Sequence, residues 1–362
     1  MKIPDIVFDH YNEAVKLPYP PELQLTDIWK EVRNVIRSVI KARPSVEQVI
    51  QISQGVKFNH RTPASPIIFM LKELFEKKYP GISLGPGDSL YSRNETLLPY
   101  NGITLSNIYF WHLSHYYACA TRLPYAPINI AEIGSGIGEL ARLWRLMGRN
   151  VFYTLIDFPE ALFMAEVYLR ANFPNDMHGF KFVPIQKAHK IKNHFDLVIN
   201  IGSLQEQRTA SVKYWMGWIQ SRADYFYSFN SFMNHKNEKL TSPQDHTAAE
   251  VVPIIDDKWN IVSFELNDEL FRINTTSNWL AVILKREKAL PEDVAKKYVE
   301  SLSQVIILMR FGSKTATRLI WELFWKDPTH AAAKRWVEYL ERLEIRDAVG
   351  FRRIMKEHES TT

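Results

Sequence analysis

The residues best suited to chemistry cluster between Glu132 and Asp157. Glu132 precedes three glycines, Gly134, Gly136 and Gly138, with Ser135 set between the first two. Glycine lets a backbone come close to a ligand because no Cβ stands in the way. Asp157 follows about twenty positions beyond the last glycine, where a carboxylate can bind ribose hydroxyls. The spacing Gly-x-Gly-x-Gly differs from the dinucleotide fingerprint, which would place its third glycine at Glu139. This set suits a nucleoside-bearing cofactor. A second group of residues could move protons: Glu206, and His235 and His246 in a polar stretch further on.

Local patterns supply the elements that must hold these groups. Ile128 to Ile133 is rich in apolar residues and reads as a buried strand, and Glu139 to Met147 has the apolar spacing of a helix. Val151 to Ile156 is a second strand ending at Asp157, and Pro159 to Asn172 a second helix. Phe180 to Val183, Phe195 to Ile201 and Asp224 to Asn230 read as further strands, with a helix from Val212 to Arg222. Trp259 to Leu266 and Trp279 to Lys285 fit a closing antiparallel pair. Upstream, helices are expected over Leu25 to Ala42, Ile67 to Tyr79 and, rich in aromatics, Ile103 to Leu123; Ser83 to Asn101 reads as loop. Three helical segments fill the chain after Pro291.

Three stretches sharpen the reading. Tyr153 to Glu160 is Tyr-Thr-Leu-Ile-Asp-Phe-Pro-Glu, Asp196 to Glu206 is Asp-Leu-Val-Ile-Asn-Ile-Gly-Ser-Leu-Gln-Glu, and Tyr225 to Asn230 is Tyr-Phe-Tyr-Ser-Phe-Asn. With the glycine turn, they resemble bacterial sugar O-methyltransferases of the class I S-adenosylmethionine-dependent type. The chain departs mildly from that pattern, with Phe158 in place of leucine and Gln207 in place of methionine. Gln186 stands where many methyltransferases have an acid near adenine, and its amide can donate and accept instead.

The resemblance implies an α/β fold with a Rossmann-like seven-stranded sheet, residues 128–286. It would carry an N-terminal helical cap, 1–127, and a C-terminal helical extension, 287–362. It implies S-adenosyl-L-methionine as cofactor, held by Glu132, Gly134, Ser135, Gly136 and Gly138. Asp157 would hold the ribose, with Phe158, Gln186 and Asn200 completing the cofactor site. The implied reaction is methyl transfer to a hydroxyl of a glycan or nucleotide-sugar intermediate, with Glu206 and His246 as catalytic residues and His235 in reserve. A phenol or polyketide hydroxyl is the second reading, and a non-catalytic methyltransferase-like scaffold in glycan assembly the third. His112 and His115 lie on the aromatic helix, as pocket-lining or core residues.

Composition bounds the partners. A net charge of +5 on 362 residues is too modest to call for nucleic acid. A single cysteine, Cys119, excludes an intrachain disulfide, and no His-Glu-x-x-His or Cys-x-x-Cys metal signature occurs. The apolar runs are too short to span a bilayer and the N-terminus shows no secretory signal, so a cytoplasmic protein is expected. The terminal helices are expected to support self-association.

Overall fold

The computed structural model describes residues 2–55, 64–89, 98–148, 150–231, 259–266 and 279–286. The stretches holding His235, His246 and the C-terminal extension lie outside the described residues. In chain order the elements begin with α1 (Asp5–Val15), α2 (Asp27–Lys41), α3 (Val46–Gly55) and α4 (Ala64–Lys78). A short hairpin, β1 (Leu98–Tyr100) and β2 (Ile103–Leu105), leads to α5 (Asn107–Ala120). Then come β3 (Asn129–Ile133), α6 (Glu139–Met147), β4 (Phe152–Asp157), α7 (Pro159–Asn172) and β5 (Phe180–Pro184). The chain continues with β6 (Phe195–Ile201), α8 (Thr209–Gln220), β7 (Ala223–Ser231), β8 (Trp259–Leu266) and β9 (Trp279–Arg286).

The large sheet runs β5-β4-β3-β6-β7-β9-β8. Neighbours from β5 to β7 are parallel, while β9 is antiparallel to both β7 and β8. The chain steps outward from β3 to β5, then returns to the other side of β3 with β6. That reversal makes a switch point between the C-terminal ends of β3 and β6, where open α/β sheets bind ligands. Right-handed crossovers in opposite directions place α6 and α7 on one face and α8 on the other. This mixed sheet with helices on both faces agrees with the α/β class expected from the sequence. No described helix is long and apolar enough to cross a membrane.

The N-terminal helices are fastened to this sheet. α1, α2 and α3 pack on α7, and α5 packs on α6 with α4 outside it. One apolar cluster runs from Ile3 and Val7 through Tyr109, Leu143 and Tyr168 to Tyr227 and Ile283. Cys119 is buried within it.

Two local elements differ from those expected. Ile103–Leu105 is a strand and not the start of the aromatic helix. Asn101 and Gly102 both have positive φ, 47° and 80°, which turns the chain back so that β2 pairs with β1. The helix then starts after Ser106, whose hydroxyl accepts the Tyr109 N–H and so caps it. The stretch before it, expected as loop through Asn101, contributes β1.

Candidate cofactor site

The three glycines of the β3–α6 turn all have positive φ, and each faces different surroundings. A Cβ at Gly134 would overlap the Ser203 side chain, which comes from the turn after β6. One at Gly138 would press on Leu155 and Leu169, from β4 and α7. One at Gly136 would meet nothing within 4 Å. The outer glycines therefore allow close packing, and the middle one presents bare backbone to open space.

Asp157 ends β4 beside that bare backbone. Its Oδ2 accepts the Gly136 N–H at 2.9 Å and its Oδ1 accepts the Phe158 N–H at 2.7 Å. Each carboxylate oxygen can accept a second bond, so Asp157 can fix the turn and still serve a hydroxyl. Glu132 lies beneath, buried, with the Tyr153 hydroxyl donating to its Oε2 at 2.8 Å. Burial raises the Glu132 carboxyl to about 8; the Tyr153 bond opposes this and the negative charge of Asp157 adds to it. Glu132 is thus mainly protonated at neutral pH.

Two buried polar groups near Asp157 lack partners. Neither amide atom of Gln186 has a hydrogen bond, and neither does the Ser135 hydroxyl. Gln186 lies in the helical turn Ile185–Lys190, just after Pro184, which is the register partner of Asp157. Leaving a buried donor or acceptor unpaired costs roughly 1–3 kcal/mol, so such groups mark a place where a ligand can bond. Phe158 is buried at the start of α7. Its ring packs on Trp29 of α2 at 5.2 Å between centroids.

The side chain of Asn200 is bonded within the protein. Its Nδ2 donates to the Ile133 carbonyl at 2.7 Å and also to the Ser203 hydroxyl. Its Oδ1 accepts from the Leu204 N–H at 3.2 Å and from Asn230 Nδ2 at 2.9 Å. Two donors and two acceptors are the whole capacity of an amide. Asn200 therefore pins the ends of β3, β6 and β7 together, holding the Ser203 turn against Gly134.

Glu206 follows on the same rim, half-buried in the turn Leu204–Glu206. Its carbonyl accepts the Thr26 hydroxyl at 3.3 Å. The partnership of Glu206 with His246 or His235 lies outside the described residues. The aromatic helix reaches the rim as well. Trp111 meets Phe229 edge-on at 5.3 Å, and Phe229 is the register partner of Ile201 at the end of β6. His115 is a core residue, fully buried, with Nδ1 against the Tyr227 hydroxyl at 2.7 Å. His112 is half-buried, with Nδ1 2.9 Å from the Ile108 carbonyl. A carbonyl only accepts, so Nδ1 carries the proton and the neutral ring has its lone pair on Nε2.

The sequence did not reveal the anchoring of Glu160. This fully buried carboxylate, in the first turn of α7, is gripped by Arg33 through Nε at 2.7 Å and Nη2 at 3.1 Å. Arg37 of the same helix adds a third charge-assisted bond. The only local signal is an acid at a helix N-terminus; its partners lie more than a hundred residues upstream.

No family model matches the chain, and no curated protein sequence does. Solved structures show slight likenesses. Human N-acetylserotonin methyltransferase, in complex with S-adenosylmethionine, is 12% identical over 51% of this chain and 57% of its own, with a TM-score of 0.32. The mitomycin 7-O-methyltransferase MmcR is 12% identical over 50% of this chain and 55% of its own, at 0.37. The match thus spans little more than half the length of either protein. The N-terminal domain of EvdMO1, with S-adenosylhomocysteine bound, is 11% identical over 63% of this chain and 99% of its own, at 0.36.

Proposed function

We propose that the chain is an S-adenosylmethionine-dependent O-methyltransferase whose acceptor is a sugar hydroxyl of a glycan or nucleotide-sugar intermediate. The observation that carries this reading is the pair of unpartnered buried groups, Gln186 and Ser135, near Asp157 and the open backbone at Gly136. Gln186 offers one acceptor and two donors, the complement of the polar edge of adenine. Asp157 suits ribose hydroxyls, and Ser135 with the turn suits the amino-acid end. When bound, S-adenosylmethionine supplies an electrophilic methyl group on a sulfonium.

The protein must align the acceptor and take its proton. Glu206 is the proposed acid–base residue on the rim, with His246, or in reserve His235, as its partner. Trp111, half-buried and set edge-on against the buried Phe229, would give the rim an apolar wall. Such a wall suits the face of a sugar ring, and also a phenol or polyketide, which is the second reading.

Labelled S-adenosylmethionine and a panel of nucleotide sugars and phenols test the acceptor. Label should pass to a sugar, and Glu206→Gln should slow single-turnover transfer roughly a hundredfold with cofactor affinity kept. Label passing only to phenols would overturn the sugar assignment, and full transfer by the Glu206 variant would remove its role.

A further inference from the structure

Between α1 and α2 the chain makes a detour with a direct bearing on the cofactor site. α1 packs on α7, on one face of the sheet. The next turn, Pro21–Leu23, lies against α8 on the opposite face, where the Ser211 hydroxyl donates to the Glu22 carbonyl at 2.6 Å. Thr26 bonds the Glu206 carbonyl, and α2 then returns to α7 through Arg33 and Glu160. A segment that passes from α7 to α8 and back must cross the edge of the sheet. The contacts at Glu206 and Glu160, just after β6 and β4, show that it crosses at the C-terminal edge, where the ligand cleft opens.

Tyr19 sits on that crossing. Its ring lies under the Arg33 guanidinium, 4.9 Å from carbon to centroid, and the same guanidinium lies 5.9 Å from the Phe158 ring. The Tyr19 hydroxyl is shut off from solvent and has no hydrogen-bond partner. Arg33 links the Tyr19 ring to the ring of Phe158, the residue that follows Asp157. Buried tyrosine hydroxyls ordinarily find a partner. The unpartnered hydroxyl thus adds to Gln186 and Ser135 as a third such group, on the side of Phe158.

We propose that Tyr19 is a cofactor-binding residue: its hydroxyl bonds the nucleoside half of the cofactor, and the crossing segment forms a strap over it. The proposal rests on the reading of the site as one for S-adenosylmethionine. Arg33, clasped by Glu160 and stacked on Tyr19, holds the strap in place. No sequence motif carries this assignment, because the strap belongs to the chain upstream of the nucleotide fold.

Tyr19→Phe removes only the oxygen and keeps the ring against Arg33. Calorimetric titration with S-adenosylhomocysteine, and separately with adenosine, reads its effect. The variant should bind both about fivefold or more weakly than the wild type, the loss expected for one hydrogen bond. Its unfolding midpoint without ligand should be unchanged or higher, because the oxygen had no partner to lose. Equal affinity of variant and wild type for S-adenosylhomocysteine would overturn the proposal. A loss seen with S-adenosylhomocysteine and not with adenosine would also overturn it, by moving Tyr19 to the amino-acid end. Failure of the wild type to bind either probe would instead sink the cofactor reading beneath it.

Discussion

Asp157 and Gly136 are joined directly, the carboxylate Oδ2 accepting the glycine N–H at 2.9 Å. The acid suited to a ribose thus also sets the turn on which the cofactor would lie. Asp157→Ala should therefore lose stability as well as affinity. Hydrogen bonds to a charged group contribute about 1.5–3 kcal/mol, and a loss of that order should appear as a lower urea midpoint. S-adenosylhomocysteine affinity should fall in the same variant. Wild-type stability in Asp157→Ala would show that the bond does not matter to the turn.

The glycines should separate by the space around them. Alanine at Gly134 meets Ser203 and at Gly136 meets nothing, although positive φ strains both. Gly134→Ala should be the less stable protein in thermal unfolding. Gly136→Ala should fold with a smaller loss, roughly 1–2 kcal/mol for the strained backbone, yet bind S-adenosylhomocysteine poorly. Equal stability of the two variants would contradict the packing described at Ser203.

Gln186 is a polar group kept in place without a protein partner. Gln186→Leu should leave the ligand-free protein as stable as before, or more so, because a buried unpaired amide is removed. The same change should weaken adenosine binding about tenfold. Unfolding midpoints and titrations on one preparation check both halves. A large loss of stability with affinity intact would assign Gln186 to the core.

Glu132 should make stability depend on pH. Its carboxyl is raised from 4.5 to about 8 in the folded protein, chiefly by burial. Between those values the unfolded chain releases the proton and the folded chain keeps it, so stability falls as pH rises through the window. Glu132→Gln removes this contribution and can still accept the Tyr153 bond. Urea unfolding at pH 5 and pH 8 should show the wild type losing more stability than the variant, by up to a few kcal/mol. Parallel behaviour of the two proteins would mean that Glu132 is ionised when folded.

The α/β half was legible because its signals are local. The spacing between Glu139 and Met147 and between Pro159 and Asn172 marks helices with those same bounds. Nothing comparable marks α1 or α3, and the aromatic spacing extends a helix back over Ile103–Leu105 although Asn101-Gly102 marks a tight turn. The partners of Asn200 are likewise invisible in the sequence. An amide at a strand end looks ready for a ligand, and only the positions of Ile133, Ser203, Leu204 and Asn230 reveal that its bonds are already taken. The strap was hidden for a similar reason. Arg33 and Glu160 lie 127 positions apart, and nothing in either segment names the other.

Titration of S-adenosylhomocysteine into the wild-type protein, with NAD as the comparison, tests the cofactor assignment most directly. The site described predicts saturable one-to-one binding of S-adenosylhomocysteine and no measurable heat from NAD. Absence of heat with S-adenosylhomocysteine, or tighter binding of NAD, would contradict it.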